Sequence, residues 1–196
     1  ILAVHLIWIT TIVLLTLAGC QTAEGETPPT LGASTMTKSP ETTPTDPPTV
    51  LVYIGTYTHR GSDGIYVYSF DSVTGQLEPV GVAEADNPSF LAIAPDKGTL
   101  YAVNEVGEFR GEQTGAVSAF AVDPATGALT FRNQQPSLGQ APAHVSVGRA
   151  GRYVYVANYT SGTAAVFPVE ADGSLAPASD SVQHEGSGPD PRRQRG

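Results

Sequence analysis

Six polar side chains have the types that hydrolysis at a carbonyl group requires. They are Asn104, Glu105, Arg110, His144, Asn158 and Arg193. Such a reaction needs a base that activates water and a donor that stabilises the developing oxyanion, and an anionic substrate also needs a cation. Glu105 or His144 could act as the base, and Asn104 or Asn158 could be the donor. The two arginines could pair with an anionic group.

Each candidate also has a purely structural interpretation. Glu105 could be a solvated carboxylate at a strand end, and His144 could be a structural histidine that bonds a neighbouring element. Asn104 and Asn158 could cap turns by bonding their own backbone. Both arginines could face solvent. The residue types alone leave these alternatives open.

Three strand-like runs, at 51–57, 100–105 and 153–159, repeat along the chain. Each is followed by a second strand and by a turn that contains glycine. The interval between copies is about 50 residues, and all of it is strand and turn. A period of this length made only of strands is typical of a β-propeller, with one four-stranded blade per repeat.

The second and third repeats each predict a whole blade. Their predicted strands are 88–94, 99–105, 115–122 and 128–134, then 144–147, 153–158, 163–169 and 174–182. The first repeat predicts only three strands, at 51–57, 64–70 and 76–83, and lacks the inner one. The predicted fold of 50–196 is therefore all-β, about two and two-thirds blades of a propeller. Since a ring usually has four to eight blades, we expect a sequence truncated at both ends.

The strand order within a blade decides where the candidate residues meet. In an antiparallel meander, the first strand starts and the second strand ends on the same rim of the ring. The loops between blades and the loops after each second strand therefore share one face. Asn104, Glu105, His144 and Asn158 fall at such positions, as do the two arginines. We expect this set to converge on the mouth of the central channel.

The first 19 residues carry no charged side chain and end in Leu17-Ala18-Gly19-Cys20. An apolar run that ends in small residues before a cysteine indicates an export signal at 1–19. This ending resembles a bacterial lipobox, in which Cys20 becomes the lipidated N-terminus. Residues 20–49 then form a disordered tether rich in Thr, Pro and Ser. The prediction is a lipoprotein of the bacterial cell envelope, held to the membrane through Cys20; the alternative is an uncleaved anchor that ends in a free cysteine.

Composition argues against several other classes of function. The formal net charge of −9 is unfavourable for a nucleic-acid partner. The chain has four histidines, none at metal-ligand spacing with a second, so no metal site is predicted. The sequence has no Gly-x-Ser-x-Gly elbow, no glycine-rich phosphate loop before a helix and a single cysteine. We therefore predict no cofactor.

Six short runs, in order along the chain, closely resemble the bacterial lactonase family. The runs are 53–58, 87–91, 101–105, 141–146, 157–162 and 184–188. This is the family of seven-bladed propellers typified by the propeller-type 6-phosphogluconolactonase. The family usually continues with a Pro-His-x-His run, whereas this sequence ends just before it, and Arg195 stands where an acidic residue is common.

The resemblance implies a monomeric enzyme that opens a sugar-acid lactone with water, and it favours His144 and Glu105 as catalytic residues. The residue types and the strand topology add Asn104, Arg110, Asn158 and Arg193 as candidates for substrate contacts. A lipoprotein lies outside the cytoplasm, where 6-phosphogluconolactone is not made, so the substrate could be another lactone. Because the later blades are absent, we expect the 196-residue chain to be inactive.

A second hypothesis is a binding propeller without catalytic activity. Propellers serve many functions, so the fold does not exclude a tethered domain that holds a carbohydrate or an envelope partner. The channel mouth separates the two hypotheses: an enzyme should lose lactone opening when Glu105 or His144 is replaced, and a binding protein should have none to lose.

Overall fold

The computed structural model describes residues 12–16 and 50–189, and its strands form three four-stranded antiparallel sheets. The first sheet contains β1 (Ile12–Thr16), β2 (Val50–Ile54), β3 (Gly64–Phe70) and β4 (Leu77–Glu84). The second contains β5 (Leu91–Ile93), β6 (Thr99–Asn104), β7 (Ala116–Val122) and β8 (Leu129–Pro136). The third contains β9 (Pro142–Val147), β10 (Tyr153–Asn158), β11 (Thr163–Pro168) and β12 (Asp180–Gln183).

Every sheet follows chain order, so each is an up-and-down meander. This is the topology of a propeller blade, and it confirms the all-β prediction. Within the described ranges the one helix is a single 3₁₀ turn, Thr58–Arg60. No helix in this part of the chain has the length and apolar character needed to cross a membrane.

The first blade has four strands, and the prediction of three was wrong. The strand β1 pairs antiparallel with β2, from Ile12 opposite Ile54 to Thr16 opposite Val50. The inner edge of β2 offers unpaired N–H and C=O groups, and an apolar, partly β-branched run can satisfy them. The paired run belongs to the segment interpreted as an export signal, and that interpretation stays a prediction.

Several strand boundaries also differ from the prediction; the second strand of the first blade, for example, ends at Ile54, not at 57. The last strand of the third blade covers Asp180–Gln183, not 174–182. Upstream of it Leu175 forms only an isolated bridge with Val169, and Pro177 follows, which has no N–H to give to a ladder. The inner strand of the second blade is Leu91–Ile93, where 88–94 was predicted, because Pro88 lies in the loop before it.

Neighbouring blades pack face to face through alternate residues of their strands. The core between the first and second blades contains Leu51, Tyr53, Ile65, Val67, Leu91, Leu100, Ala102, Phe120 and Val122. The core between the second and third blades includes Tyr101, Val103, Val117, Ala119, Val145, Val154, Val156, Ala165, Phe167 and Leu175. Successive side chains of a strand point to opposite faces of the sheet, so those of β6 enter the two cores in turn. The middle blade is therefore buried on both faces.

In the first and second blades, a tyrosine of the second strand reaches across to the next blade. The Tyr53 hydroxyl donates to the Gly127 carbonyl at 2.9 Å, and the Tyr101 hydroxyl donates to the Gly173 carbonyl at 3.0 Å. Both glycines lie in the turn between the third and fourth strands of the blade they belong to. We call each pair a tyrosine–glycine contact. The repeated tyrosine of the sequence thus joins consecutive blades.

We expect the free energy of unfolding to fall as the pH rises between about 10 and 12. Burial raises the pKa of both Tyr53 and Tyr101 to about 12. Unfolded tyrosine ionises near 10, so in this window the unfolded chain binds fewer protons than the folded chain. As the pH rises above about 10, the free energy of unfolding therefore falls, by up to about 1.4 kcal/mol per pH unit for each tyrosine. Urea unfolding at a series of pH values measures this slope.

The control is the double variant Tyr53→Phe/Tyr101→Phe, which should be less stable at neutral pH but should lose most of the alkaline slope. Fluorescence and circular dichroism should report the same transition. A slope that is unchanged in the double variant would mean that other groups cause the alkaline loss.

Candidate active site

Glu105 follows β6 and lies between the first and second blades. Its Oε2 accepts hydrogen bonds from the Tyr57 hydroxyl at 2.8 Å and from the Ser89 hydroxyl at 2.5 Å. Tyr57 belongs to the loop after β2, and Ser89 to the segment that leads into β5. The other carboxylate oxygen has no hydrogen-bond partner among the described residues, and the side chain is half-buried. One oxygen is therefore fixed in place while the other is available to a ligand.

Tyr57 is held as a neutral hydrogen-bond donor. Burial, the hydrogen bond to Glu105 and the charge of that carboxylate all raise the pKa of the Tyr57 hydroxyl. A neutral phenol and a serine hydroxyl orient a carboxylate without neutralising it. The arrangement fixes the direction of the Glu105 carboxylate.

Asn87 fixes the loops that carry these groups. Its φ of 40° is left-handed, a conformation that asparagine adopts more readily than most residues. Its Oδ1 accepts from the Thr58 N–H at 2.9 Å, and its own N–H donates to Thr58 Oγ1 at 3.2 Å. Its carbonyl accepts from the Glu105 N–H at 3.0 Å. Asn87 thereby ties the loop after β2 to the loop after β6.

His144 lies on β9, the inner strand of the third blade, and its side chain is exposed. The ring packs against Phe90, with the centroids 4.5 Å apart and an angle of 46° between the planes. Neither ring nitrogen has a hydrogen-bond partner among the described residues. The structural alternative, a hydrogen bond to a neighbouring blade, is replaced here by a ring contact that leaves both nitrogens available.

Adjacent residues connect the two candidate bases. Ser89 bonds Glu105, and Phe90 packs against His144. The segment that carries them enters the inner strand of the second blade, so one short stretch of backbone positions both groups. A fixed carboxylate and an accessible imidazole on one rim can accept a proton from water and deliver one to a leaving group.

Asn104 is buried, at 2% exposure, and both polar atoms of its amide are hydrogen-bonded. Nδ2 donates to the Asp86 carbonyl at 2.8 Å. Oδ1 accepts from the Ser118 hydroxyl at 2.6 Å and from Gln134 Nε2 at 2.9 Å. These contacts join the loop before β5 to β7 and β8. These contacts are structural, but they are not the turn cap to local backbone given as the alternative, and substrate binding by Asn104 stays a prediction.

Asn158 is the equivalent residue of the third blade and is also 2% exposed. Nδ2 donates to the Ser137 carbonyl at 2.8 Å and to Thr163 Oγ1 at 2.9 Å. Oδ1 is buried and has no partner among the described residues. At the position of Ser118 the third blade has Ala165, which offers no hydroxyl. The amide faces strand and loop backbone, so its role toward a substrate also stays a prediction.

Arg110 occupies a two-residue turn within the loop between β6 and β7. Phe109 and Glu112 flank the turn and exchange hydrogen bonds of 3.0 and 3.1 Å. Both turn residues have positive φ, 53° at Arg110 and 83° at Gly111. The guanidinium lies 4.7 Å from the centre of the Phe109 ring, a cation–π distance. Arg110 is exposed on the rim; Arg193 and Cys20 lie outside the described residues.

Four residues of this site were not predicted from the sequence: Tyr57, Asn87, Ser89 and Phe90. Two signals could have found them. Tyr57 and Glu105 end equivalent runs of adjacent repeats, and equivalent positions of adjacent blades are neighbours in a propeller. An Asn-Pro pair between two strands is also a turn signal that favours a left-handed asparagine.

Metal-binding side chains do not gather in this region. Among the residues in the described ranges, no three His, Cys, Asp or Glu side chains lie together so as to hold a metal ion. The chemistry available from the described residues is therefore that of a carboxylate, an imidazole, hydroxyls and an exposed guanidinium.

Known proteins match the stretch of chain that forms the three blades. The family model "Lactonase, 7-bladed beta-propeller" matches residues 51–196. The 6-phosphogluconolactonase of Bacillus subtilis is 38% identical over 144 residues, which are 73% of this chain and 40% of that protein. The 6-phosphogluconolactonase of Formosa agariphila is 28% identical over 139 residues, 70% of this chain and 38% of its own.

A solved structure agrees with the sequence comparison. The periplasmic gluconolactonase of Pseudomonas aeruginosa superposes with a TM-score of 0.66 and 42% identity, over 72% of this chain and 40% of that one. The chain spans about two fifths of the length of these relatives. Blade topology, family model and sequence identity agree, and the chain belongs to the lactonase family of seven-bladed β-propellers.

Proposed function

We propose that this chain is part of a lactonase that opens a sugar-acid lactone with water. The observation that carries the proposal is the geometry of Glu105: one carboxylate oxygen is fixed by Tyr57 and Ser89, and the other has no described partner. The relatives from Bacillus subtilis and Pseudomonas aeruginosa support it, since they are named 6-phosphogluconolactonase and periplasmic gluconolactonase.

The proposed reaction needs one base and one acid. Glu105 accepts a proton from water as the water oxygen bonds to the lactone carbonyl carbon. The bond between that carbon and the ring oxygen then breaks, and the ring oxygen takes a proton from His144 or from solvent. Glu105 then releases its proton to solvent and His144, where it was the donor, regains one from solvent. The products are an open hydroxy acid and both side chains in their starting forms. No oxidant or cofactor enters this balance.

Substrate anions would meet positive charge on this rim. Arg110 is exposed beside Phe109, and Arg193 follows the third blade in sequence. We assign them to a carboxylate or a phosphate of the substrate or product. Asn104 and Asn158 would act indirectly, by fixing the loops, unless a ligand displaces their present partners.

The proposed location is the cell envelope, with the protein anchored through a lipid on Cys20. The periplasmic relative from Pseudomonas aeruginosa supports a compartment outside the cytoplasm. A lactone without a phosphate, such as gluconolactone, is then the preferred substrate. The 196-residue chain by itself should be inactive, because three blades enclose only part of a channel.

Lactone opening can be measured directly by following acid release with a pH indicator. The proteins compared are a seven-bladed protein that contains this chain and the 196-residue chain alone. The substrates are gluconolactone and its 6-phosphate, each with a protein-free blank, since both open spontaneously. We expect the seven-bladed protein to exceed the blank and to prefer gluconolactone.

Two results would count against the proposal. A rate equal to the blank for both lactones would exclude a lactonase of this class, and carbohydrate binding without turnover would favour the binding propeller. Activity of the 196-residue chain alone would overturn the assignment of the complete channel as the active unit.

A further inference from the structure

A cleft on the rim opposite Glu105 is walled by turns of the second and third blades. The turns are 94–99, 149–152 and 169–173, and the space between them is about 700 Å³, a volume typical of small-molecule sites. Thr99 lines the cleft at the start of β6, whereas Glu105 follows the end of the same strand. The length of β6 therefore separates the cleft from the candidate active site by about 17 Å.

The cleft lies at a boundary where both neighbouring blades are present. Its floor includes the tyrosine–glycine contact of Tyr101 and Gly173, a hydrogen bond of 3.0 Å. A Cβ at Gly151 would lie 3.7 Å from Pro95, so turns of the two blades approach each other directly. In a propeller, a further blade would pack on the opposite face of the third blade. The cleft therefore does not depend on where the sequence begins or ends.

Three arginines line the cleft: Arg132, Arg149 and Arg152. Residues 50–189 contain six Lys and Arg in all, so half of the positive charge of this stretch is concentrated here. Arg132 Nη1 lies 3.7 Å from a carboxylate oxygen of Asp172. Arg149 and Arg152 are exposed, and neither has a hydrogen-bond or ion-pair partner among the residues that the structure describes. Two guanidiniums on one turn are thus available to an oxyanion, which suits their planar arrangement of donors.

The blade repeat does not require these two arginines. The turn between β9 and β10 closes through a hydrogen bond of 2.8 Å that the Gly151 N–H donates, and the turn between β5 and β6 closes in the same way at the same distance. At the positions of Arg149 and Arg152, that second turn has Pro95 and Gly98. The same backbone turn therefore forms without arginine, and the folding of the blade does not explain the two guanidiniums.

Three carboxylates share the cleft with the arginines: Asp96, Glu170 and Asp172. Asp96 Oδ1 accepts from the Gly98 N–H at 2.9 Å, and Asp172 Oδ1 accepts from the Ser174 N–H at 2.9 Å, so both cap their own turns. Glu170 is exposed, and its carboxylate has no hydrogen-bond partner within the described ranges. A ligand with several negative charges would be repelled by these groups, whereas ligand hydroxyls can donate to them.

We infer that the cleft binds a polyhydroxy acid with a single carboxylate. That carboxylate pairs with Arg149 and Arg152, and hydroxyl groups of the ligand donate to Glu170 and Asp96. The two guanidiniums supply the attraction, and the carboxylates of the cleft select against ligands that carry more than one negative charge. The proposed lactone opening releases an acid of this class, so only the origin of the ligand rests on the proposed function.

The test measures binding of gluconate to a seven-bladed protein that contains this chain, by calorimetry and by hydrogen exchange. Exchange separates the cleft from the rim of Glu105, because gluconate should protect amides of 148–153 and 169–174. The variant Arg149→Gln/Arg152→Gln should lose this protection and should bind at the cleft at least about tenfold more weakly, since it lacks the charge-assisted hydrogen bonds. Its rate of lactone opening should stay within about twofold of wild type.

Matched controls test the site and the class of ligand. Arg60→Gln makes the same chemical change at an exposed arginine on the other rim and should leave the protection unchanged. Glucose has the hydroxyls without the carboxylate and should bind at least about tenfold more weakly than gluconate. Citrate carries several carboxylates and should also bind more weakly. Glu170→Gln should narrow the difference between citrate and gluconate, because it removes one repelling charge.

Protection that persists in the double arginine variant, or that is absent from both turns in the wild type, would overturn the inference. Equal binding of glucose, or tighter binding of citrate, would overturn the class of ligand. The readout needs no turnover. A protein that opens no lactone but shows this protection would contradict the proposed function and would support the inference about the cleft.

Discussion

Replacing Glu105 with glutamine should lower kcat/KM for lactone opening by about 10²- to 10⁴-fold in a seven-bladed protein that contains this chain. The amide has nearly the same shape, and its oxygen can still accept from Tyr57 and Ser89. It cannot take a proton from water at neutral pH. The loss should therefore appear in kcat, with stability changed by no more than about 1 kcal/mol.

A matched control is Glu108→Gln, which makes the same chemical change at an exposed site in the same loop. It should leave the rate within about twofold of wild type. Tyr57→Phe removes one of the two hydroxyls that orient Glu105 and should have an intermediate effect, since Ser89 remains.

The pair Glu105→Gln and His144→Gln decides which residue is the base. If Glu105→Gln keeps full activity and His144→Gln abolishes it, the assignment of the base to Glu105 is wrong and the imidazole takes the proton. If both variants are fully active, the rim described here is not the catalytic site.

Replacing Gly55 with alanine should destabilise the fold by about 2–3 kcal/mol. A Cβ at this position would overlap the backbone carbonyl oxygen of Pro88 and would lie 3.3 Å from Leu91 Cγ. The obstacle is backbone of the second blade, so the two blades must separate to make room. Urea unfolding followed by tyrosine fluorescence measures the loss.

Gly81→Ala is the control, because this glycine lies within β4 and nothing is within 4 Å of its Cβ. Its stability should change by no more than about 0.5 kcal/mol. Because Pro88 precedes Ser89, Gly55→Ala should also reduce lactone opening in the seven-bladed protein. Equal effects of the two substitutions would mean that the approach of the blades at Gly55 is not tight.

The repeat in the sequence was enough to predict the blades, because strand period, turns and spacing are all local signals. It located Glu105 and His144 on one rim through the meander topology. It also placed Asn104 at the channel mouth, although the alternation of β6 continues through Leu100 and Ala102 to Asn104 and directs all three toward the first blade. The burial of Asn104 could therefore have been predicted from the period of two.

The partners of Glu105 could not be predicted in the same way. Tyr57 is 48 residues away and Ser89 is 16 residues away. Their approach depends on the packing of two blades and on the left-handed backbone of Asn87, which local propensity does not specify. The inner strand of the first blade, β1, was not predicted for a related reason. It pairs with the open edge of β2, and nothing in the sequence of 12–16 specifies that pairing.

The position of β1 means that the predicted cleavage of the export signal would change the architecture of the first blade. Ile12–Thr16 lies on the amino side of Cys20, so cleavage just before that cysteine would release the strand from the protein. The inner edge of β2 would then regain a row of unsatisfied N–H and C=O groups. A processed protein would need a replacement strand at that edge, and the removal of a leader peptide would act as a strand exchange at the channel wall.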